Sequence, residues 1–261
     1  MRIARFSTDD EPRFGLIGDE DGVETLAIVR GDPMYAGITL TGEKVPVDDV
    51  RLLAPVLPRS KVVGIGRNYA DHASEFGNEV PDEPMVFLKP NTAVVGPHDP
   101  IVYPDQTEDL HHEGELAVVI GRICRDVEAD DVPKVIYGYT VGNDVTARDL
   151  QARDGQWARA KGFDTFCPLG PWIETDLDVD DLAIQTRVNG ELRQDARTSD
   201  LIFDIPTLVS YVSSFMTLLP GDVLLTGTPA GVGPMRPGDE VSVTIEDIGT
   251  LTNRVVPRDS D

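Results

Sequence analysis

The stretch HHEGELAVVIG, residues 111–121, sets two glutamates, Glu113 and Glu115, two positions apart at the head of an apolar run. Side chains two apart on a strand share a face, so both carboxylates enter the same side of the core that the run builds. Acids held side by side in a core repel each other and stay ionised only beside a compensating cation. A third acid, Asp144, ends the next strand-like stretch, YGYTVGNDV. Converging without three nearby basic partners, Glu113, Glu115 and Asp144 would be a set of hard oxygen ligands suited to Mg²⁺ or Mn²⁺, with positions left for water or substrate. The alternative is an edge strand with solvated glutamates, because short acidic patterns recur in an acidic chain. His111 shares the parity of the two glutamates, which would suit a softer metal such as iron or a hydrogen-bonding place behind the ligands, whereas His112 points the other way.

Three further clusters carry reactive side chains. In GIGRNYADHASE, residues 64–75, Gly64 and Gly66 permit close backbone approach at a strand end, and a following helix puts His72 and Glu75 on one face. Glu75 would then orient His72 and hold its charge, as a general base near neutral pH requires; otherwise the two form an exposed pair worth a few tenths of a kcal/mol. Arg148, Gln151 and Lys161 follow Asp144, where cations would neutralise an anionic substrate, although such residues are ordinarily solvated. Finally, LLTGTPAGVG, residues 224–233, is a turn whose exposed amides and hydroxyl could bind a carboxylate. It lacks the Lys and the long following helix of a phosphate loop.

The elements that must hold these residues are mostly strands. The 24 glycines and 20 prolines punctuate short runs of Val, Ile, Leu and Thr, predicting strands over 2–6, 13–17, 23–29, 61–65, 85–89, 113–121, 137–145, 170–175, 184–188, 222–226, 240–245 and 249–255. Asn189-Gly190 is a two-residue hairpin signal. Helices are expected over 70–76, 132–136 and 199–218, the last capped by Ser199, with Pro206 either kinking it or marking its true start. Residues 53–59 interrupt the pattern and divide a small N-terminal module, 1–55, from a domain spanning 56–261.

Acidic residues outnumber basic ones 46 to 23, for a net charge of −23, so phosphate backbones and anionic lipids are repelled and nucleic acid is excluded as a partner. No apolar run is long enough to span a bilayer or to form a signal peptide, and two cysteines make neither a disulfide framework nor a four-ligand zinc site. A cytosolic setting is expected. The basic residues are 18 Arg and only 5 Lys. A GC-rich genome explains the Arg bias, but the net charge suits a halophilic protein, whose self-repulsion a salty cytosol screens.

Taken in order, GRNYADHASE, FLKP, HHEGELAVVIG, GNDVTARDLQ, AKGFDTFCPLGPW and LLTGTPAGVG resemble the fumarylacetoacetate hydrolase family from about residue 61 to 255. The resemblance implies a mainly β fold with minor α, a mixed β-sandwich roll around a divalent metal, Mg²⁺ or Mn²⁺, assembled as a homodimer. It implies Glu113, Glu115 and Asp144 as metal ligands, His72 with Glu75 as a catalytic dyad on a mobile lid, and Lys161 as a partner to substrate or attacking water. Arg67, Lys89, Arg148, Gln151 and Thr228 would line the pocket. Substrates would be small anionic 2-oxo acids or their enols. Hydrolysis of an acylpyruvate, releasing pyruvate, ranks ahead of hydroxydiene-dioate isomerisation and oxaloacetate decarboxylation. A metal-binding module without activity would have lost a dyad or ligand position, and none is missing.

Overall fold

The computed structural model describes residues 1–8, 11–75, 77 and 79–258. Among them, three sheets of twelve, five and three strands carry the fold, with short helices between. The mainly β, mixed-sheet architecture agrees with the expected fold class.

At the centre of the largest sheet lies Gly114–Ile120, antiparallel to Ile136–Asn143 on one side and to Val223–Leu225 on the other. All seven of its residues are buried, because the sheet is covered on both faces. Leu116, Val118 and Ile120 pack with Val243, Ile245 and the helix Ile205–Phe215, while Ala117 and Val119 face Leu169, Ile173 and Val223. Each such buried aliphatic side chain contributes roughly 1.5–3 kcal/mol. Val223–Leu225 runs parallel to Val62–Gly66, which pairs with Met85–Lys89. The second layer is the five-stranded sheet. Its hairpin Ala183–Val188 to Glu191–Arg197 turns at Asn189 and Gly190, whose φ values of 52° and 80° are those of a type I′ turn.

The N-terminal strands extend the large sheet: Arg2–Ser7 pairs with Cys167–Glu174, placing Ile3 opposite Ile173. Phe6, Leu26 and Ile28 form a small core there against Trp172.

The helices differ from expectation in informative ways. The 199–218 pattern resolves into a 3₁₀ turn, Thr198–Asp200, and the helix Ile205–Phe215. Asp204, not Ser199, caps that helix by accepting from Thr207 N at 2.8 Å, and Pro206 occupies its first turn, where no N–H is required. Of residues 132–136, expected as a helix, 132–134 close a 3₁₀ helix, Ala129–Lys134, and Ile136 already begins the next strand. The 70–76 helix is observed as Ala70–Glu75, and Phe76 lies outside the described residues. Three α-helices among the described residues went unanticipated, Pro33–Ala36, Arg148–Asp154 and Ala158–Lys161, each too short for a period to register, the last two separated by Gly155 at φ 70°. No helix of the described residues is long and apolar enough to cross a membrane.

Candidate active site

The pairing of Gly114–Ile120 with Ile136–Asn143 puts Gly114 opposite Asn143, and the ladder is continued by Asp144 N donating to Glu113 O at 2.8 Å. Glu113 occupies a one-residue break between the strands Leu110–His112 and Gly114–Ile120, its own N–H donating to Asn143 Oδ1 at 3.0 Å. Side-chain oxygens of Glu113, Glu115 and Asp144 therefore lie within 4.8 Å of one another, all three residues buried. The strand is interior, so the solvated edge-strand alternative does not apply. Glu115 Oε2 accepts from Gly227 N at 2.7 Å. Gly227 has φ 105°, and a Cβ there would sit 2.6 Å from Asn68 Cβ, so only glycine brings its amide to that carboxylate.

One premise of the sequence reading fails: three basic partners are present. Lys161 Nζ donates to Glu113 Oε2 at 2.7 Å and Asp144 Oδ2 at 2.5 Å, Lys89 Nζ to Asp144 Oδ1 at 2.5 Å, and Arg148 Nη2 to Glu113 Oε1 at 2.5 Å. Burial opposes charge on Glu113, but Lys161 and Arg148 outweigh it and hold the carboxyl well below its ordinary range. Burial likewise opposes charge on Lys161, and Asp144 and Glu113 outweigh it, raising its pKa. Glu115 differs. It makes no ion pair among the described residues, and burial, then Asp144 and Glu113, push its pKa well up against the lowering influence of Lys161. A divalent cation among the three carboxylates would reverse that shift, and an all-oxygen donor set facing a cavity fits Mg²⁺ or Mn²⁺. His111 does not join the set: its Nε2 faces Asp109 Oδ1 at 3.0 Å and its Nδ1 accepts from Arg148 Nε at 3.4 Å, which removes the histidine from the softer-metal alternative.

The cavity beside these carboxylates has a volume of about 260 Å³. His72, Arg67, Arg148, Gln151, Lys161 and Thr228 line it with Glu113 and Glu115. His72 is 7% exposed, its Nδ1 3.3 Å from Glu75 Oε2; burial lowers its pKa, against the raising influence of Glu113 and Glu75. Glu75 in turn accepts from Gly231 N at 3.2 Å. Arg148 Nη1 donates to Gln151 Oε1 at 2.6 Å. Arg67, at φ 56°, makes no ion pair among the described residues. Lys89 is not among the lining residues: at 1% exposure it sits beneath Asp144 and also donates to Val145 O at 3.2 Å.

Two local readings change. The space beside Gly64 and Gly66 is filled by aromatic rings, since a Cβ at Gly64 would lie 2.2 Å from Phe87 and one at Gly66 2.6 Å from Trp157. Those rings meet edge to face at 5.4 Å and wall the cavity, Lys161 Nζ lying 4.9 Å from the Phe87 centroid. In the glycine-rich turn, the amides of Gly227 and Gly231 serve the protein's own Glu115 and Glu75. The Thr228 hydroxyl donates to Gly114 O at 2.9 Å and accepts from Gln194 Nε2 at 2.7 Å. Gln194, which the sequence did not single out, is fully buried and also accepts from Gly114 N at 3.0 Å, tying this turn to the carboxylate strand. No sequence signal marks it; in the structure it is the one fully buried position of Glu191–Arg197.

Residues 61–256 match the family described as fumarylacetoacetate (FAA) hydrolase C-terminal, and residues 1–55 match one described as Rv2993c-like, N-terminal. The structure of 5-carboxymethyl-2-hydroxymuconate delta-isomerase from Mycobacterium smegmatis is 53% identical, covers 98% of this chain and 100% of its own, and superposes with a TM-score of 0.91. Oxaloacetate tautomerase Fahd2a, mitochondrial, from Rattus norvegicus is 45% identical over 223 residues, 81% of this chain and 71% of the relative. Fumarylpyruvate hydrolase from Pseudomonas aeruginosa, solved in complex with Mn²⁺ and pyruvate, is 38% identical, covering 77% of this chain and 91% of its own with a TM-score of 0.73.

Proposed function

Because the chain belongs to the fumarylacetoacetate hydrolase family and is an enzyme of that family, we propose that it takes small 2-oxo acids through their enolates, with His72 moving the proton. The observation that carries this reading is the meeting, in one cavity, of the Glu113, Glu115 and Asp144 carboxylates with the His72–Glu75 pair. The three carboxylates would hold Mg²⁺ or Mn²⁺, which when bound supplies Lewis-acid polarisation of a ketone and charge for an enolate.

The protein's own groups do the rest. Glu75 fixes the His72 tautomer with the proton on Nδ1, making Nε2 the accepting atom, and a buried, lowered-pKa imidazole is neutral and ready to accept at neutral pH. Lys161 orients Glu113 and Asp144, and Lys89 braces Asp144 from below. Arg148 with Gln151 draws an anionic substrate inward, and Arg67 takes its far carboxylate. Phe87 and Trp157 keep water from the polar floor. The homodimer implied by the resemblance, in the cytosolic setting expected from the composition, belongs to the same proposal, and light scattering measures that assembly.

Shifting a proton between carbons, or between keto and enol forms, needs this base but no attacking water, and we adopt that reaction class because the relatives at 53% and 45% identity are named for it. Acylpyruvate hydrolysis, ranked narrowly first among three reactions that fit the same residues, adds a water for His72 to activate and is favoured by the relative at 38%. The test is turnover of a hydroxydiene-dioate, oxaloacetate enol and an acylpyruvate in Mg²⁺, Mn²⁺ and chelator. Metal-dependent proton shifting is expected, with His72→Ala lowering kcat by about 10²- to 10⁴-fold and leaving calorimetric Mn²⁺ binding unchanged. Undiminished turnover in chelator, or wild-type turnover by His72→Ala, would refute it. Cleavage of the acylpyruvate with the diene untouched would establish the hydrolytic reading instead.

A further inference from the structure

A second cavity, of about 270 Å³, lies where the N-terminal strands meet the large sheet. Its floor is apolar, formed by the buried side chains of Ile3, Val56 and Ile173, and the rings of Phe14, Tyr35 and Tyr137 also line it. Two arginines face it. Arg59, exposed at the rim, stacks over the Tyr35 ring with its Cζ 4.1 Å from the centroid. That ring is pinned by Tyr35 Oη donating to Pro220 O at 2.8 Å. Arg5, half-buried in the wall, makes one long hydrogen bond, from Nη1 to Ala54 O at 3.4 Å. Neither guanidinium has a carboxylate within ion-pair distance among the described residues, in a chain carrying 46 acidic side chains. Asp32 lines the same cavity, and its Oδ1 accepts from Met34 N at 2.9 Å.

The position is separate from the catalytic cavity. Tyr137 stands near the start of Ile136–Asn143, whose far end leads into Asp144, and Gly221 precedes Val223–Leu225, whose far end leads into Gly227 and Thr228. The two cavities thus occupy opposite ends of the same strands.

We propose that this cavity is a second small-molecule site that binds a planar aromatic monocarboxylate, its ring between the aromatic walls and its carboxylate on Arg59 and Arg5. A guanidinium stacked on a ring offers its edge for bidentate contact with a carboxylate. The apolar floor selects a flat hydrocarbon body, and Asp32 repels a second negative group, which distinguishes this ligand from the dianions suited to the catalytic cavity. Burial costs the half-buried Arg5 solvation of its charge, Asp32 offsets part of that cost, and a bound carboxylate would replace the rest.

Fluorine NMR of 4-fluorobenzoate with the full chain tests the site independently of the proposed function. Saturable binding to one site is expected at millimolar concentrations, weakened about tenfold or more by Arg59→Ala and by Arg5→Met, and unchanged by Glu115→Gln. Arg59 is exposed, so its variant keeps the fold even where the Arg5 variant is less stable. Absence of saturable binding overturns the proposal. So does binding that disappears in Glu115→Gln while Arg59→Ala retains wild-type affinity, which would assign the carboxylate to the catalytic cavity.

Discussion

Lys161→Met removes the charge that Glu113 and Asp144 share while nearly preserving volume. The ammonium is 2% exposed and donates to both carboxylates, so the variant leaves two buried anions with one compensating cation fewer. Removing one partner of a buried ion pair costs about 3–5 kcal/mol. At roughly 2.1 cal/mol/K per residue, unfolding the 261-residue chain carries an entropy of about 0.55 kcal/mol/K, so Tm in chelator should fall by about 5–9 °C. Saturating Mn²⁺ should recover most of that loss, because a dication among the carboxylates replaces the missing charge. The loss should also shrink as pH falls, since carboxyls whose folded pKa rises above the unfolded value near 4 destabilise only where they must stay ionised. Melting curves by circular dichroism at pH 7 and pH 5, in EDTA and in Mn²⁺, supply the comparison. A variant that melts with the wild type in EDTA, or an equal gap with and without Mn²⁺, would show that Lys161 does not neutralise this cluster.

Glu115→Gln should abolish calorimetric Mn²⁺ binding and, in EDTA, stabilise the protein at neutral pH. A carboxyl raised in the folded state costs nothing below its unfolded pKa near 4 and progressively more as pH climbs, so the Tm difference should grow from pH 5 to pH 8; a pH-independent difference would contradict that. The net charge of −23 predicts a higher Tm in molar KCl than in dilute buffer, and equal values would return the composition to genome bias. We propose residues 1–55 as a separate module: their deletion bares the Cys167–Glu174 edge and Trp172, so aggregation should increase, yet Mn²⁺ binding should persist because all three carboxylates lie beyond residue 55. A folded deletion variant without metal affinity would refute the division.

What the sequence made legible was local. The parity of Glu113 and Glu115 and the next strand's end at Asp144 are short-range facts, and one antiparallel pairing suffices to bring the three together. Their cations were hidden because Lys89 reaches Asp144 across 55 residues and Lys161 across 17, from elements whose packing no period encodes. Gln194 was further out of reach, 80 residues from Gly114, on the second sheet. The helix start at 204–205 was misread because Ser199 and Asp204 are both good caps, and the choice fell to Pro206, which fits only a first turn. The close approach that Gly64 and Gly66 permit is legible in the sequence, but not that the approaching groups are the rings of Phe87 and Trp157.

The cavity has a floor and a roof of different origin. Its carboxylate floor comes from adjoining strands in the middle of a buried sheet, where any shift of one residue would turn a hydrophobic face inside out. Its roof, bearing His72, Arg148, Gln151 and Lys161, rides on the short helices Ala70–Glu75, Arg148–Asp154 and Ala158–Lys161. Insertions and substitutions in such connecting pieces leave the strand pairing undisturbed where Lys161 and Arg148 keep their bonds to Glu113 and Asp144. A lineage can therefore inherit one carboxylate floor unchanged and exchange the reaction above it, which gives a physical reason for an isomerase, a tautomerase and a hydrolase to stand among the relatives of a single chain.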